Sequence, residues 1–82
     1  MHADQILEAL GRQLREARQN RGFTQLELAR LAGLPRTKII QVEAGKPSVS
    51  IEAYAKVVAA LGLSMDVTAA TRPTLDDLDA AR

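Results

Sequence analysis

The residues from Thr24 to Gly45 constrain the fold more than any other part of the chain, because they carry the start and stop signals of two short helices. Thr24 followed by Glu27 forms a capping box, in which a hydroxyl and a carboxylate bond the N–H groups that a helix start leaves unpaired. Gly33 can adopt the left-handed conformation that ends a helix, and Pro35 is tolerated at a first helical position. The segment therefore predicts a helix, a short turn and a second helix that ends at Gly45.

Apolar spacing predicts how these two helices pack. Leu28 and Ala29 lie on one face of the first helix, Ile39 and Val42 lie on one face of the second, and Leu34 fills the corner between them. A small side chain at position 29 lets the crossing helix come close. Any larger side chain there would displace the second helix.

The small and apolar residues of this segment fit a single register. Its defining residues, at positions 1, 5, 9, 10, 15 and 18 counted from the first, are Gln25, Ala29, Gly33, Leu34, Ile39 and Val42. This register resembles the helix-turn-helix of the phage repressor and Cro type, the XRE family, and the resemblance covers about residues 10–63. It implies an all-α, repressor-like domain of five helices or fewer that binds double-stranded DNA.

Length and composition limit the other possibilities. A chain of 82 residues without cysteine makes one small domain without disulfides, and a dimer that buries more apolar surface would help to stabilise it. The only histidine is next to the start methionine, and no carboxylates cluster in a folded segment, so we expect no catalytic residues, no metal site and no cofactor. No apolar run is long enough to cross a membrane, and no signal peptide is recognisable, which predicts a soluble, cytoplasmic protein.

The charge is unevenly distributed along the chain. Residues 1–48 hold eight Lys or Arg and five acidic residues, a net charge of +3, whereas residues 49–82 hold three and five, a net charge of −2. The positive excess therefore coincides with the two-helix segment, as expected of a part that contacts nucleic acid.

The second helix of the motif would read bases, because recognition helices meet base edges with their N-terminal side chains. Arg36 can donate two hydrogen bonds to guanine, Gln41 can make a paired contact with adenine, and the Thr37 methyl can touch a thymine methyl. Ile40 departs from the family pattern, which usually has a polar residue there. It could contact a thymine methyl, cover aliphatic surface within the domain, or mark a surface for a protein partner.

Phosphate contacts and one ion pair follow from the resemblance. The family glutamine that bonds a phosphate and buttresses the recognition helix corresponds to Gln25, and the loop that lies against the DNA backbone begins at Lys46. The remaining phosphate candidates, each of which could instead simply face solvent, are Lys38, Arg15 and Arg12. The family also implies an ion pair between an arginine late in the first helix and a glutamate ending the recognition helix. Here these residues are Arg18 and Glu43, and the pair would fix the angle of that helix.

Two further helices complete the predicted domain, which spans residues 1–62. The first ends near Asn20, and its apolar stripe comprises Ile6, Leu10, Leu14 and Ala17. The last begins at Ser50 and ends at Gly62, and its apolar stripe comprises Ile51, Tyr54, Ala55, Val58 and Leu61.

The period of the pattern changes to two after Gly62. Leu63, Met65 and Val67 alternate with polar residues, which predicts a short strand from Leu63 to Ala69 within a dimerisation segment of residues 63–70. A single strand has no partner in its own chain, and the simplest partner is the same strand of a second subunit across a two-fold axis. The alternative is a fifth helix that packs helix to helix in the dimer.

The acidic tail, residues 71–82, is too short to fold alone. Its Leu75 and Leu78, set among aspartates, could dock a partner, or the tail could remain disordered. The order of a repressor-like domain, "LSMDV" and an acidic tail is similar to HipB-type antitoxins. That resemblance implies a homodimer that represses its own operon at a palindromic operator and binds a HipA-type kinase toxin. The alternatives are a stand-alone or phage-derived regulator without a toxin, and an adaptor that binds only protein.

Overall fold

The computed structural model describes residues 2–69, and within this range it contains four helices and no strand. The helices are α1 (Ala3–Asn20), α2 (Gln25–Ala32), α3 (Arg36–Glu43) and α4 (Ile51–Ala60). This architecture confirms the all-α class of five helices or fewer. The predicted docking residues Leu75 and Leu78 lie outside the described residues.

The turn between α2 and α3 follows the local signals of the sequence. The Thr24 hydroxyl accepts a hydrogen bond from the Glu27 N–H at 3.0 Å, and the Thr24 N–H donates to Glu27 Oε1 at 2.9 Å. The bond from the Thr24 N–H, and after it the Thr24 hydroxyl, lower the pKa of the Glu27 carboxyl. Gly33 has φ 69°, which ends α2. Pro35 lies one position earlier than predicted, as the N-cap of α3 instead of its first residue.

The core lies between all four helices. Leu28, Ile39 and Val42 are fully buried, and Ala29 is 2% exposed, so the predicted packing faces of α2 and α3 are confirmed. The other buried apolar residues are Leu14, Val49, Ala53, Tyr54, Val57, Val58 and Leu61. Because both motif helices bury one face in this core, the opposite face of α3 is presented outwards.

Two glycines bring α1 into backbone contact with the end of α3. A Cβ added to Gly11 would lie 2.6 Å from the carbonyl oxygen of Glu43, and one added to Gly45 would lie 2.6 Å from the carbonyl oxygen of Leu7. Gly45 also has φ 69°, a conformation that side chains with a Cβ rarely adopt. The closeness of α1 to α3 therefore depends on the absence of a side chain at both glycines, and no local sequence signal predicts this role of Gly11.

The predicted apolar stripes of α1 and α4 are partly wrong. Ile6 is 52% exposed and lines an open groove together with Leu10 and Leu14. Ile51 is 70% exposed and Ala55 is exposed as well, while Ala53 and Val57 are buried instead. In an alanine-rich helix small residues fit either face, so the spacing alone leaves the buried face ambiguous.

Residues 63–69 form neither a helix nor a strand in the single chain. Residues 63–68 border a groove of about 630 Å³ whose other walls include Ile6, Leu10, Leu14 and Val58. A strand requires a hydrogen-bonded neighbour, so the predicted strand does not form without one. Its pairing across a dimer stays a prediction, and no helix forms there in the single chain.

Candidate nucleic-acid interface

The outward face of α3 carries the residues predicted to read bases. Arg36, Thr37 and Gln41 are all exposed, and Ile40 between them is 42% exposed. The adjoining Ile39 is fully buried, so the helix is divided cleanly into a core face and a solvent face. Four side chains on this face of α3 are therefore accessible to a ligand.

A buried ion pair holds the other end of α3 to α1. Arg18 Nε lies 2.6 Å from Glu43 Oε2, and Arg18 Nη2 donates to Glu43 Oε1 at 3.2 Å, although both residues are only 9% exposed. Arg18 Nη1 also donates to the carbonyl oxygen of Phe23 at 2.8 Å. No buried side-chain nitrogen or oxygen in the described part of the chain lacks a hydrogen-bond partner. The charges are thus compensated on both sides, as burial of an ion pair requires.

Hydrogen bonds continue from this pair to the base-reading face. Gln25 Nε2 donates to Glu43 Oε1 at 3.2 Å, and Arg36 Nη2 donates to Gln25 Oε1 at 3.4 Å. The second bond is long and therefore weak. Even so, Gln25 links both ends of α3 from the first residue of α2, and it leaves most donors of the Arg36 guanidinium free.

The loop after α3 is anchored by a residue that the sequence analysis treated only as apolar core. The Tyr54 side chain is 1% exposed, and its hydroxyl donates to the carbonyl oxygen of Lys46 at 2.9 Å. The Val49 N–H donates to the same oxygen at 3.3 Å. Burial raises the pKa of Tyr54. The loop backbone is therefore fixed while the Lys46 side chain is exposed.

The other phosphate candidates occupy different positions. Arg15 lies on α1 between Gly11, which contacts the end of α3, and Arg18, which pairs with Glu43. All three residues are on the side of α1 that adjoins α3, and the Arg15 side chain is exposed there. Arg12 is exposed one residue beyond Gly11. Lys38 is half-buried on α3, and no ion pair involves it within the described residues.

This arrangement can present one short helix to an extended anion. The exposed residues of α3 include Arg36 and no carboxylate, because Glu43 is buried against Arg18. Residues 2–69 contain no group of three or more His, Cys, Asp or Glu that could hold a metal ion. None of the four helices is both long enough and apolar enough to cross a membrane.

Comparison with protein-family models matches residues 9–80 to a model described as a helix-turn-helix domain. The matched range begins in α1 and includes both α2 and α3. A search of curated proteins finds no match.

Proposed function

The chain belongs to the helix-turn-helix domain family, of the XRE-like or Cro-type kind, and on that premise we propose that it is a sequence-specific DNA-binding repressor of transcription. The observation that carries the proposal is the outward face of α3, where Arg36 is supported through Gln25 by the buried Glu43. A helix held at both ends enters a groove with little loss of conformational freedom. Base recognition then depends on a few side chains near its N-terminus.

Each exposed group has a chemical task in this proposal. Arg36 donates to guanine O6 and N7, Gln41 pairs with adenine, and the Thr37 methyl contacts a thymine methyl. The phosphate contacts, which set affinity and orientation without reading sequence, are assigned to Gln25, Lys38, Arg15, Arg12 and Lys46. The firmly held backbone of the loop at Lys46 supports its assignment.

We assign dimerisation to residues 63–69. Leu63 and Met65 are 46% and 45% exposed, and Val67 is 96% exposed. The backbone N–H groups of Ser64 and Met65 have no acceptor in the described chain. Apolar side chains and unpaired backbone groups are both satisfied if the same segment of a second subunit pairs alongside. The operator then has two-fold symmetry, with half-sites about 10 bp apart.

Selection of bound sequences from a random DNA pool tests this function. We expect one palindromic site. Its affinity should fall steeply with salt: the logarithm of the binding constant should decrease with the logarithm of the salt concentration, with a slope of about −0.9 for each phosphate neutralised. Arg36→Ala should relax the preference at one base pair and weaken binding by about 1–3 kcal/mol. Lys56→Ala, at an exposed lysine on α4 that pairs with Glu52, is the matched control. A flat salt response or a pool without enriched sequences would exclude the proposal.

A narrower role rests on the resemblance of "LSMDV" and the acidic tail to HipB-type antitoxins. In this role the repressor also binds a HipA-type kinase toxin, and Leu75 and Leu78 are the docking residues. The first test is whether a kinase gene lies immediately downstream. If one does, its product should co-purify with the full chain on co-expression and be lost with Leu75→Ala/Leu78→Ala. Retention of operator binding without a kinase partner would identify a stand-alone regulator instead. Kinase binding without any operator preference would identify a protein-binding adaptor.

A further inference from the structure

Ile40 is an exposed apolar residue at the centre of the base-reading face. It is 42% exposed, while Ile39, its neighbour in the chain, is fully buried. The other large apolar residues that are exposed in residues 2–69 all lie on α1, α2, α4 or the segment after α4. No described part of the domain covers the outer side of Ile40, so a role in the core does not account for it.

The neighbours of Ile40 indicate what it would contact. Thr37 lies three residues before it, and Ala44, the C-cap of α3, lies four residues after it. A threonine methyl, an isoleucine and an alanine therefore form one apolar row along α3 and its C-cap. Arg36 precedes Ile40 by one turn, and Gln41 directly follows it. The row therefore lies among the groups that would donate to bases.

The charge around this row favours nucleic acid over a protein surface. The exposed part of α3 carries Arg36 and no free carboxylate, since Glu43 is bonded to Arg18 and Gln25. One isoleucine flanked by a threonine methyl and an alanine is also a small area for docking a protein, for which buried apolar anchors surrounded by further contacts are typical. The apolar group that DNA offers in the major groove is the C5-methyl of thymine.

We propose that Ile40 is a specificity residue that packs against the C5-methyl of a thymine in each half-site and so selects thymine over cytosine at that base pair. This inference rests on the proposed function, because it requires α3 to lie in the major groove. The recognition is purely apolar: burial of the methyl group and of the Ile40 side chain stabilises the complex, without a hydrogen bond. Loss of one methyl contact should weaken binding about threefold to fivefold.

The test removes the methyl group from each side in turn. In the operator obtained by selection, each thymine of the half-site is replaced singly by deoxyuridine, which lacks only the C5-methyl, and the dissociation constant is measured for the wild type and for Ile40→Ala. We expect one position at which deoxyuridine, placed in one half-site, weakens wild-type binding threefold to fivefold. At that position deoxyuridine should leave the binding of Ile40→Ala unchanged. Leu31→Ala, which truncates a leucine 57% exposed on α2, should respond like the wild type.

The outcomes separate this inference from the function on which it rests. The thymine assignment is overturned, and the repressor proposal stands, if the selected operator has no deoxyuridine-sensitive position or if every sensitive position is equally sensitive in Ile40→Ala. The thymine that Thr37 contacts should remain sensitive in both proteins. Unchanged operator affinity of Ile40→Ala also overturns the thymine assignment. A pool without any enriched sequence overturns both. Because Ile40 is exposed and alanine favours helices, Ile40→Ala should fold, and its circular dichroism spectrum verifies this.

Discussion

At the scale of single residues, the Arg18–Glu43 pair shows how a buried charge can serve orientation more than stability. Burial of two ions costs free energy that their attraction only partly offsets, whereas removal of one partner leaves the other charge uncompensated. Glu43 has a second task, because its Oε1 also accepts from Gln25. We therefore expect stability and DNA binding to respond differently when the pair is replaced.

Glu43→Leu should lower the free energy of unfolding by about 3–5 kcal/mol, because Arg18 is left buried and unpaired. The double variant Arg18→Met/Glu43→Leu should recover most of this loss but not the operator affinity, since Gln25 remains without its acceptor. Urea denaturation and DNA titration measure the two effects. The exposed pair of Glu52 and Lys56 is the control, and its removal should cost about 0.3–0.5 kcal/mol. A loss below about 1 kcal/mol for Glu43→Leu would contradict this prediction.

Tyr54 gives a prediction about alkaline pH. Burial raises its pKa above the ordinary value of 10.0, so the neutral phenol is favoured in the folded state. The contribution of Tyr54 to the free energy of unfolding is complete below pH 10.0, and it is lost as the pH rises through the higher folded-state pKa. Tyr54→Phe should lower stability at neutral pH by about 0.5–1.5 kcal/mol, because Lys46 O keeps only the bond from Val49.

The same variant should also remove this part of the alkaline destabilisation. Urea denaturation at several pH values between neutrality and the alkaline limit measures both effects. The control is Thr37→Ala, which removes an exposed hydroxyl and leaves no titrating group behind. Parallel alkaline curves for Tyr54→Phe and the wild type would show that Tyr54 does not determine the loss.

At the scale of helices, the approach of α1 to α3 depends on Gly11. Alanine is ordinarily a better helix residue than glycine by about 1 kcal/mol, so Gly11→Ala would stabilise an isolated α1. In the folded domain its Cβ would lie 2.6 Å from the Glu43 carbonyl oxygen, and backbone cannot easily yield. We expect a net loss of about 1–3 kcal/mol and weaker operator binding, because the end of α3 is displaced.

Thermal unfolding and DNA titration of Gly11→Ala measure these effects. Gly22→Ala is the control, because a Cβ there meets nothing within 4 Å and only its φ of 72° is unfavourable. It should lose stability by about 1 kcal/mol and keep its operator affinity. A Gly11→Ala variant more stable than the wild type would contradict this prediction, because it would show that α1 and α3 can move apart without loss of stability.

The contrast between Gly33 and Gly11 explains what the sequence could predict at this scale. Gly33 ends a helix, and its conformation follows from neighbouring residues, so α2 and α3 could be predicted, with the ends of α3 displaced by one or two residues. Gly11 lies inside a helix, and its role depends on Val42 and Glu43, more than 30 residues away. The same limit applies to Tyr54, whose hydroxyl partner depends on a tertiary contact. Local signals thus predicted the motif, and the family resemblance implied the Arg18–Glu43 pair, while the contacts of Gly11 and Tyr54 required the folded structure.

At the scale of the whole molecule, the exposed apolar side chains after α4 need a partner to be buried. Val67 is 96% exposed. With Met65 and Leu63 it occupies every second position of the segment, and polar residues lie between them. The predicted dimer would cover these apolar side chains and bring two copies of α3 to one operator. A dimer that occupies two linked half-sites can bind about 10²–10⁴ times more tightly than a monomer on one half-site, without any new contact.

Val67→Lys should therefore produce a monomer. Its affinity for the full operator should be about 100-fold or more below that of the wild type, and equal to its affinity for a single half-site. A lysine in the dimer contact would have to be desolvated, whereas in the monomer it remains in water. Sedimentation equilibrium measures the assembly, and titration of DNA with one or two half-sites measures the coupling. Ile51→Lys, at an apolar residue 70% exposed on α4, is the matched control and should stay dimeric. If Val67→Lys binds the full operator as a dimer of wild-type affinity, the segment after α4 is not the contact, and the two copies of α3 must be coupled through another surface.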